Sequence, residues 1–415
     1  MTLALTIAFI CCFAPLLACG LYHAAIIILG LIKRVTDNPR REPEKRIGVI
    51  IPARNEANVI RGIIASLRKQ DYPKHLFDII VIANNCTDDT AELAKQDGAR
   101  VLTPTSHPAK SADLSGTPDE PIKKKGDVLA FAFAALKDEG YDVYCVLDAD
   151  NLVDKRYLSS VNNAFVGGVN VAQGVRDSKN PRANVISGMF SIFYWFMSRL
   201  QNETRAALGL SCAVNGTGFA VSSAYINKID FHPSSLTEDL ELSGICALDG
   251  EKIHYMAGAV VYDEQPTTIK ACFSQLRRWL GGAHQCFKLM GGRLFKKRTV
   301  HAVDMLIVYS NVIFTLLGLV SGLSTTALTV RSVIMGQIDV WSALMVSGIG
   351  LVAAILALQA GAALICRMSR KSVKDNLPAI LMFPLFVLMC MISGFLLLII
   401  GPPKTWTPIA HGGGK

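Results

Sequence analysis

Four apolar stretches, each long enough to cross a bilayer, limit what this 415-residue chain can fold into more than any other feature. A membrane-spanning helix needs about 20 mostly apolar residues. The four stretches cover residues 3–32, 305–330, 340–366 and 377–400. Most charged residues lie between the first stretch and the second, so the polypeptide combines membrane segments with one large polar domain.

The stretches divide the chain into four parts. We predict an N-terminal transmembrane helix over residues 1–33, a polar domain over 34–300, three transmembrane helices over 301–401 and a tail over 402–415. Two segments of the polar domain, 183–200 and about 268–290, are predicted to be interfacial helices. For 183–200, which is apolar and aromatic but short and flanked by charge, a buried core helix is the alternative.

Positive residues at the ends of the apolar stretches predict their orientation, because such residues favour the cytoplasmic side. They follow the first stretch at Lys33 and Arg34, precede the second at 293–298 and separate the third from the fourth at 367–374. With the N-terminus outside, all three flanks and the polar domain lie in the cytoplasm, at the cell membrane. The tail then lies outside, unless prolines hold the last stretch partly in the interface.

The net charge of +9 does not indicate a nucleic-acid partner. Basic stripes with interleaved aromatic residues are typical of nucleic-acid binding, whereas most basic clusters here adjoin apolar stretches. That placement favours topology signals and contacts with lipid headgroups. The eleven cysteines contain no C-x-x-C pair, so we interpret them as small apolar residues in a reducing compartment.

The polar domain alternates strand and helix patterns. Apolar runs at 46–52, 77–83 and 141–147 predict buried strands, and helical patterns cover 56–70, 87–96 and 127–137. Such alternation is typical of β-α-β units with a mostly parallel sheet covered by helices. Residues 103–125 hold four prolines and many polar residues, which indicates a long loop of the kind that is often a functional lid or disordered.

Asp148-Ala149-Asp150 follows the third predicted strand. Carboxylates at the carboxyl end of such a strand project into the crevice where open α/β sheets bind ligands. Mg²⁺ or Mn²⁺ favours one or two carboxylates together with substrate phosphate oxygens. A pair of helix-capping aspartates is the alternative for this pattern.

Thr237-Glu238-Asp239 begins a predicted helix. Ordinary capping accounts for these residue types at a helix start. The functional hypothesis is that a carboxylate here acts as general base toward a hydroxyl group.

Gln275-Leu276-Arg277-Arg278-Trp279 lies on a predicted amphipathic helix close to the second apolar stretch. An arginine fork matches diphosphate oxygens, and a tryptophan offers a rigid face for a sugar ring or a base. A membrane-surface helix with snorkelling arginines is the alternative.

Five motifs in this order, followed by membrane helices, resemble the family-2 glycosyltransferases of the cellulose, chitin, hyaluronan and poly-N-acetylglucosamine synthase group. They are PARNE at 52–56, NNCTDDT at 84–90, DAD at 148–150, TED at 237–239 and QLRRW at 275–279. The resemblance implies a GT-A fold, with a Rossmann-like mixed sheet, and an inverting transfer from a nucleoside-diphosphate sugar, with UDP as the expected nucleotide. It covers residues 46–282 and the membrane flanks.

The resemblance also implies roles for individual residues. The base and ribose would be surrounded by Pro52, Arg54, Asn55, Glu56, Asn84 and Asp88. Asp150 would bind the metal with Asp148 beside it, Lys125 would lie near the donor phosphates, and Asp239 would be the general base. Gln275, Arg278 and Trp279 would frame the diphosphate and the acceptor. Residues 215–218 (NGTG) resemble the acceptor-side strand of the family, and a tight turn is an equal alternative.

One departure concerns Ala83-Asn84-Asn85, because the family usually has an acid in this motif. An asparagine amide still supplies both a donor and an acceptor to a uracil edge. The departure weakens the inference that the nucleotide is UDP.

The sequence favours a processive synthase of a cell-envelope or secreted β-polysaccharide. Its alternative is an enzyme that adds one sugar to a lipid. A polymer product implies a path across the bilayer, for which three or four spans are few. We therefore expect either a path lined with interfacial helices such as 183–200 or a channel shared between the subunits of a homo-oligomer. Two other functions are less favoured by the sequence. A sugar-nucleotide sensor would need no general base such as Asp239. A transporter would need paired ionisable groups within its spans, where the sequence offers only Asp304 at a helix entrance.

Overall fold

A computed structural model describes residues 2–33, 35, 37–104, 122 and 124–402. The strands are β1 Ile47–Ala53, β2 Phe77–Ala83, β3 Arg100–Leu102, β4 Val143–Val146, β5 Leu152–Val153, β6 Val171–Ser178, β7 Phe219–Ser222 and β8 Ile253–Asp263. Most of the predicted loop 103–125 and the tail from residue 403 lie outside the described residues. The side of the membrane on which the tail lies therefore stays a prediction.

The helices fall into a domain set and an apolar set. The domain helices are α2 Ile60–Arg68, α3 Thr90–Gln96, α4 Lys125–Leu136, α5 Tyr157–Val166, α6 Val185–Phe196, α7 Glu203–Ala207, α8 Ser223–Ile229, α9 Glu238–Asp249 and α10 Ile269–Lys297. The mostly apolar helices are α1 Thr2–Lys33, α11 Val300–Tyr309, α12 Asn311–Ile334, α13 Val340–Met368 and α14 Leu377–Ile400. A π-helical segment, Met197–Asn202, joins α6 to α7.

The eight strands form one mixed sheet in the order β3-β2-β1-β4-β7-β6-β8-β5. The first four strands of that order are parallel to one another, whereas β7 is antiparallel to both of its neighbours. The parallel half is covered on both faces, as its continuous apolar strands require. Val49 and Ile51 face α2 and α5, and Ile50 faces α4, because successive side chains point to opposite faces. The predicted α/β organisation is confirmed.

Among the described residues, four helices are long and apolar enough to cross a membrane: α1, α12, α13 and α14. The prediction of one continuous helix over 305–330 is wrong, because the chain forms α11 and α12 with a break at Ser310. Unlike α12, α11 packs on α9 and α10 through Ala302, Met305 and Tyr309. In the same helix, Asp304 is buried and paired with Arg205 at 2.9 Å. Tyr22 of α1 donates a hydrogen bond to the same carboxylate at 2.8 Å. Hydropathy alone does not register such a pair.

The loop between α13 and α14 contacts the sheet domain. The Lys371 ammonium lies 2.7 Å from the Asp177 carboxylate, and Arg182 lies 3.5 Å from Asp375. This loop is therefore on the side of the domain, and the turn between α12 and α13 is at the other end of the helices.

The segment predicted as an interfacial helix, residues 183–200, forms α6 and the start of the π-helical segment. Most of α6 is buried, and it packs on α14 through Phe190 and Phe386, whose ring centroids are 5.0 Å apart. The helix thus fills the space between the sheet and the apolar helices. Its position at a bilayer surface, like that of α10, stays a prediction.

Helix α10 approaches the start of α9 very closely. A Cβ atom on Gly282 of α10 would lie 2.8 Å from the Thr237 Cβ, closer than real carbon atoms pack. Only a glycine at this position allows α10 to pack so close to Thr237. The approach sets where Asp239, two residues beyond Thr237, lies relative to Gln275 and Arg278.

We predict that Gly282→Ala lowers the free energy of unfolding by about 1–3 kcal/mol, because the added methyl group overpacks the contact with Thr237. Gly292→Ala on the same helix is the matched control, since nothing lies within 4 Å of a Cβ there. The control should stabilise by up to about 1 kcal/mol through helix propensity. Thermal unfolding of both variants in detergent checks the pair, and equal midpoints would contradict the packing argument.

Candidate active site

A cavity of about 1160 Å³ opens at the carboxyl ends of β1, β2 and β4 and at the first turns of α9 and α10. Among the described residues, seven carboxylates and seven cationic side chains line it. The sequence-predicted residues that it brings together are Pro52, Arg54, Glu56, Asn84, Lys125, Asp148, Asp150, Asp239, Gln275, Arg278 and Trp279. Asn55 and Asp88 do not line it.

Asn55 and Asp88 instead join the loops after β1 and β2. Asn55 adopts a positive φ of 57°, and its side-chain oxygen accepts a hydrogen bond from the Thr87 N–H at 2.8 Å. Asp88 accepts the N–H groups of Ala57 and Thr90, each at 3.1 Å. Burial alone would raise the pKa of Asp88, but a hydrogen bond from the Thr90 hydroxyl and these two backbone bonds lower it. Both residues therefore hold the two loops of the cavity wall together without lining the cavity themselves.

Asn84 occupies the end of β2 and is buried. Its amide donates to the Ile122 carbonyl at 3.0 Å, and its oxygen accepts from Asn85 at 3.1 Å. One N–H and one lone pair of the amide remain, which is one donor and one acceptor for a ligand.

Lys125 links the strand end of β4 to the start of α9. Its ammonium contacts Asp148 at 2.5 Å and Glu238 at 3.4 Å, and it donates to the Gly216 carbonyl at 2.8 Å. Burial alone would lower the pKa of Lys125, but the carboxylates of Asp148 and Glu238 raise it above its usual value. The side chain therefore carries a full positive charge in the middle of the cavity.

Asp150 is the more buried acid of the Asp148-Ala149-Asp150 motif. Burial, followed by the nearby charges of Asp263, Asp148 and Glu264, raises its pKa well above the usual range, and Arg176 opposes that shift. Several carboxylates are therefore close together in this part of the cavity, and a bound cation would reduce the repulsion between them.

Asp148 and Asp150 fit a Mg²⁺ or Mn²⁺ ion that completes its shell with phosphate oxygens and water. Among the residues that the structure describes, no group of three or more His, Cys, Asp or Glu is arranged to hold a metal alone. The donor set therefore suits a metal that is bound together with a phosphate ligand.

Asp239 lies in the first turn of α9, and one of its carboxylate oxygens faces Gly216. Burial raises the pKa of Asp239, and the Leu240 N–H, Lys125, Arg278 and Arg176 oppose this shift. The Thr237 hydroxyl makes no capping hydrogen bond. The backbone ahead of the helix is instead satisfied by Glu241, which accepts the Ser235 N–H at 2.8 Å.

Gln275, Arg278 and Trp279 share one face of α10, three and four residues apart, and all three line the cavity. Trp279 stacks on Phe193 with centroids 6.0 Å apart and meets Phe190 and Tyr194 edge to face. The carbonyl oxygens of Gln275 and Gln265 are buried without a hydrogen-bond partner in the described part of the chain.

Sequence reasoning missed Arg176 of β6 and Asp263 at the end of β8. Arg176 Nε donates to Asp263 at 3.0 Å, its Nη1 donates to the Asn215 carbonyl at 2.5 Å, and its guanidinium lies 3.8 Å from the Tyr194 ring centroid. An arginine next to an aspartate near the end of an apolar run, and an acid at a strand end, were the available signals. The partners are 87 residues apart in sequence, so the pairing itself was not visible.

Comparison with known proteins gives a family and a fold. The family model described as "Glycosyltransferase like family 2" matches residues 43–282. A probable glycosyltransferase, YdaM, of Bacillus subtilis is 26% identical over 250 residues, which cover 57% of this chain and 55% of that protein. The beta-monoglucosyldiacylglycerol synthase of Nostoc is 27% identical over 250 residues, 58% of this chain and 49% of that protein. The chain thus spans about half the length of these curated relatives.

Among solved structures, the mannosyltransferase PcManGT from Pyrobaculum calidifontis, in complex with GDP-Man and Mn²⁺, has a similar fold. The TM-score is 0.58 at 15% identity, with 95% of this chain and 99% of that one covered. The mixed sheet and this likeness confirm the predicted GT-A fold. The matched family is the one that the motifs predict, whereas membership of the polymer-synthase group within it stays a prediction.

Proposed function

This chain belongs to glycosyltransferase family 2, and we propose that it transfers a sugar from a nucleoside-diphosphate sugar, with UDP as the expected nucleotide, to a hydroxyl group presented at the cytoplasmic face of the cell membrane. The observation that carries the proposal is the presence of Asp239, Asp150, Lys125 and Arg278 in one cavity. A base, a metal-binding acid and two cations are the groups that an inverting transfer needs.

The proposed reaction is a single displacement. The Asp239 carboxylate takes the proton of the acceptor hydroxyl while the acceptor oxygen bonds to the anomeric carbon. The bond between that carbon and the diphosphate breaks, and the diphosphate leaves with the electron pair. Lys125 and Arg278 stabilise the negative charge that develops on the diphosphate. A divalent cation held by Asp150 and Asp148 would supply further neutralisation of this leaving group.

The nucleotide end of the site is assigned to the loops after β1 and β2. Pro52, Arg54, Glu56 and Asn84 line the cavity there. The remaining donor and acceptor of Asn84 suit a base edge. Asn55 and Asp88 would position these loops and make no contact with the ligand themselves.

For the acceptor we favour a hydroxyl group carried by a lipid. The cavity wall nearest the apolar helices is formed by Phe193, Met197 and Trp279, and the ring of Phe193 packs on Phe386 of α14 with centroids 5.4 Å apart. An apolar wall continuous with a membrane-spanning helix suits an acceptor that arrives from the bilayer. The lipid product in the name of the Nostoc relative agrees with this choice. A growing β-polysaccharide, the prediction from sequence, is the other candidate, because Trp279 also offers a surface for a terminal sugar.

The divalent cation should be required for activity. We predict that Asp150→Ala abolishes turnover and weakens donor binding, because the donor diphosphate and the buried acids then lack a shared counter-ion. Asp138→Ala, at an exposed acid outside the cavity, should behave as wild type. Donor titration calorimetry with and without Mn²⁺, and assays in excess EDTA, measure this, and full activity in EDTA would contradict it.

Asp239→Asn should retain donor binding and reduce kcat by about 100- to 10,000-fold, as loss of a general base does. Asp249→Asn, at the exposed far end of the same helix, is the matched control. A protonated Asp239 cannot accept a proton, and burial raises its pKa above the usual 3.8. The wild-type rate should therefore fall as pH decreases through a pKa above that value. Near-wild-type turnover of Asp239→Asn would mean that another group is the base.

Product size distinguishes the two acceptors. Purified enzyme given one labelled donor in lipid vesicles should yield a single organic-extractable glycolipid at every donor concentration. A ladder or a high-mass polymer on electrophoresis would show that the acceptor is a growing polysaccharide. In either result the transfer mechanism stands, and only the identity of the acceptor changes.

The proposed topology places the sheet domain and the α13–α14 loop in the cytoplasm and the α12–α13 turn outside. Cysteines introduced at the exposed positions Lys374 and Gln337 test this in sealed cells. A membrane-impermeant maleimide should label position 337 directly and position 374 only after permeabilisation, each relative to the parent protein. Labelling of position 374 in intact cells would overturn the orientation.

A further inference from the structure

A second, smaller cavity of about 310 Å³ lies at the cytoplasmic end of α1, away from the active site. It is formed by the last residue of α1, the segment that follows it, the end of α7 and the start of β8. Its polar lining residues are Lys33, Asn38, Lys252, His254 and Tyr255. No carboxylate among the described residues lines it.

The cationic groups of this cavity lack counter-charges. Neither Lys33 nor Lys252 forms an ion pair within the described part of the chain. Of the acids around the cavity, Glu203 pairs with Arg199 at 2.7 Å and Glu251 accepts a hydrogen bond from Asn170 at 3.2 Å. Asp37 acts electrostatically on Tyr255 but does not line the cavity. The described lining of the cavity therefore carries positive charge and no carboxylate.

The surroundings of His254 also favour an anion. Burial, and then the charge of Lys252, lowers the pKa of His254, because a neighbouring cation disfavours its protonated form. An anion with several acceptor oxygens, bound beside Lys252, would offset this repulsion.

The cavity is held in place by the packing of α1. A Cβ atom on Gly30 would lie 2.7 Å from the Thr204 Cα of α7, so the two helices are in backbone contact one turn before Lys33. Immediately before the cavity, α1 exposes Leu29 and Ile32, at 55% and 76%. A phosphate in the cavity thus has an apolar surface beside it, on the bilayer side.

We propose that this cavity binds the phosphate group of an anionic membrane lipid, with Lys33 and Lys252 on the phosphate and the acyl chains along the exposed face of α1. Phosphate groups of lipids lie at the depth where a spanning helix leaves the hydrocarbon. The site is separate from sugar transfer, and its occupancy can be measured without donor or acceptor.

The test uses the purified full-length chain in a neutral detergent, after removal of bound lipid. Thermal unfolding is followed during titration with short-chain phosphatidylglycerol, short-chain phosphatidylcholine or inorganic phosphate. Phosphatidylglycerol should raise the unfolding midpoint, and Lys33→Gln and Lys252→Gln should each weaken its apparent affinity about fivefold. Lys252→Arg should bind phosphatidylglycerol as wild type does, because it keeps the positive charge that Lys252→Gln removes.

Lys296→Gln is the matched control, because Lys296 is an exposed lysine at the end of α10, next to the apolar helices but far along the chain from the cavity. It should bind phosphatidylglycerol as wild type does. An equal loss in this control, or the absence of any shift in wild type, would overturn the site. Equal stabilisation by inorganic phosphate would overturn the lipid as its source, and equal stabilisation by phosphatidylcholine would overturn the requirement for net negative charge.

Discussion

Charge compensation inside one cavity is the constraint on which the candidate active site depends. Seven carboxylates and seven cationic side chains of the described chain share its lining. Lys125 satisfies two of the acids, and Arg176 satisfies Asp263. A buried charge is costly unless it is paired and hydrogen-bonded. A diphosphate and a divalent cation can enter together without disturbing this balance, whereas either one alone would leave unpaired charge.

Helix α10 connects this charged site to the apolar helices. Its first half carries Gln275, Arg278 and Trp279, and its later turns pack against α9 and α11. The close approach at Gly282 allows the two helices to meet without an intervening side chain. The contact with the apolar helices and the geometry around Asp239 are therefore properties of the same packed unit.

The parts of the fold that could be predicted from sequence are those with a local signal. The buried strands β1 and β2 are continuous apolar runs, and Asp148 and Asp150 follow such a run directly. The antiparallel half of the sheet and the Arg176–Asp263 pair depend on contacts between distant segments, which no local pattern encodes. The division of residues 300–334 into two helices escaped prediction for the same reason, since it accompanies the packing of α11 on α9 and α10.

The aromatic cluster around Trp279 has a mechanical consequence. Phe190 and Phe193 contact both Trp279 and Phe386, so the cavity wall and α14 share a set of rigid rings. Spanning helices tilt to match the thickness of the surrounding hydrocarbon. A tilt of α14 would press on Trp279 through these rings, because close-packed side chains transmit displacement rather than absorb it. In the proposed membrane arrangement, the acyl-chain length of the bilayer would then affect the width of the cavity beside Trp279.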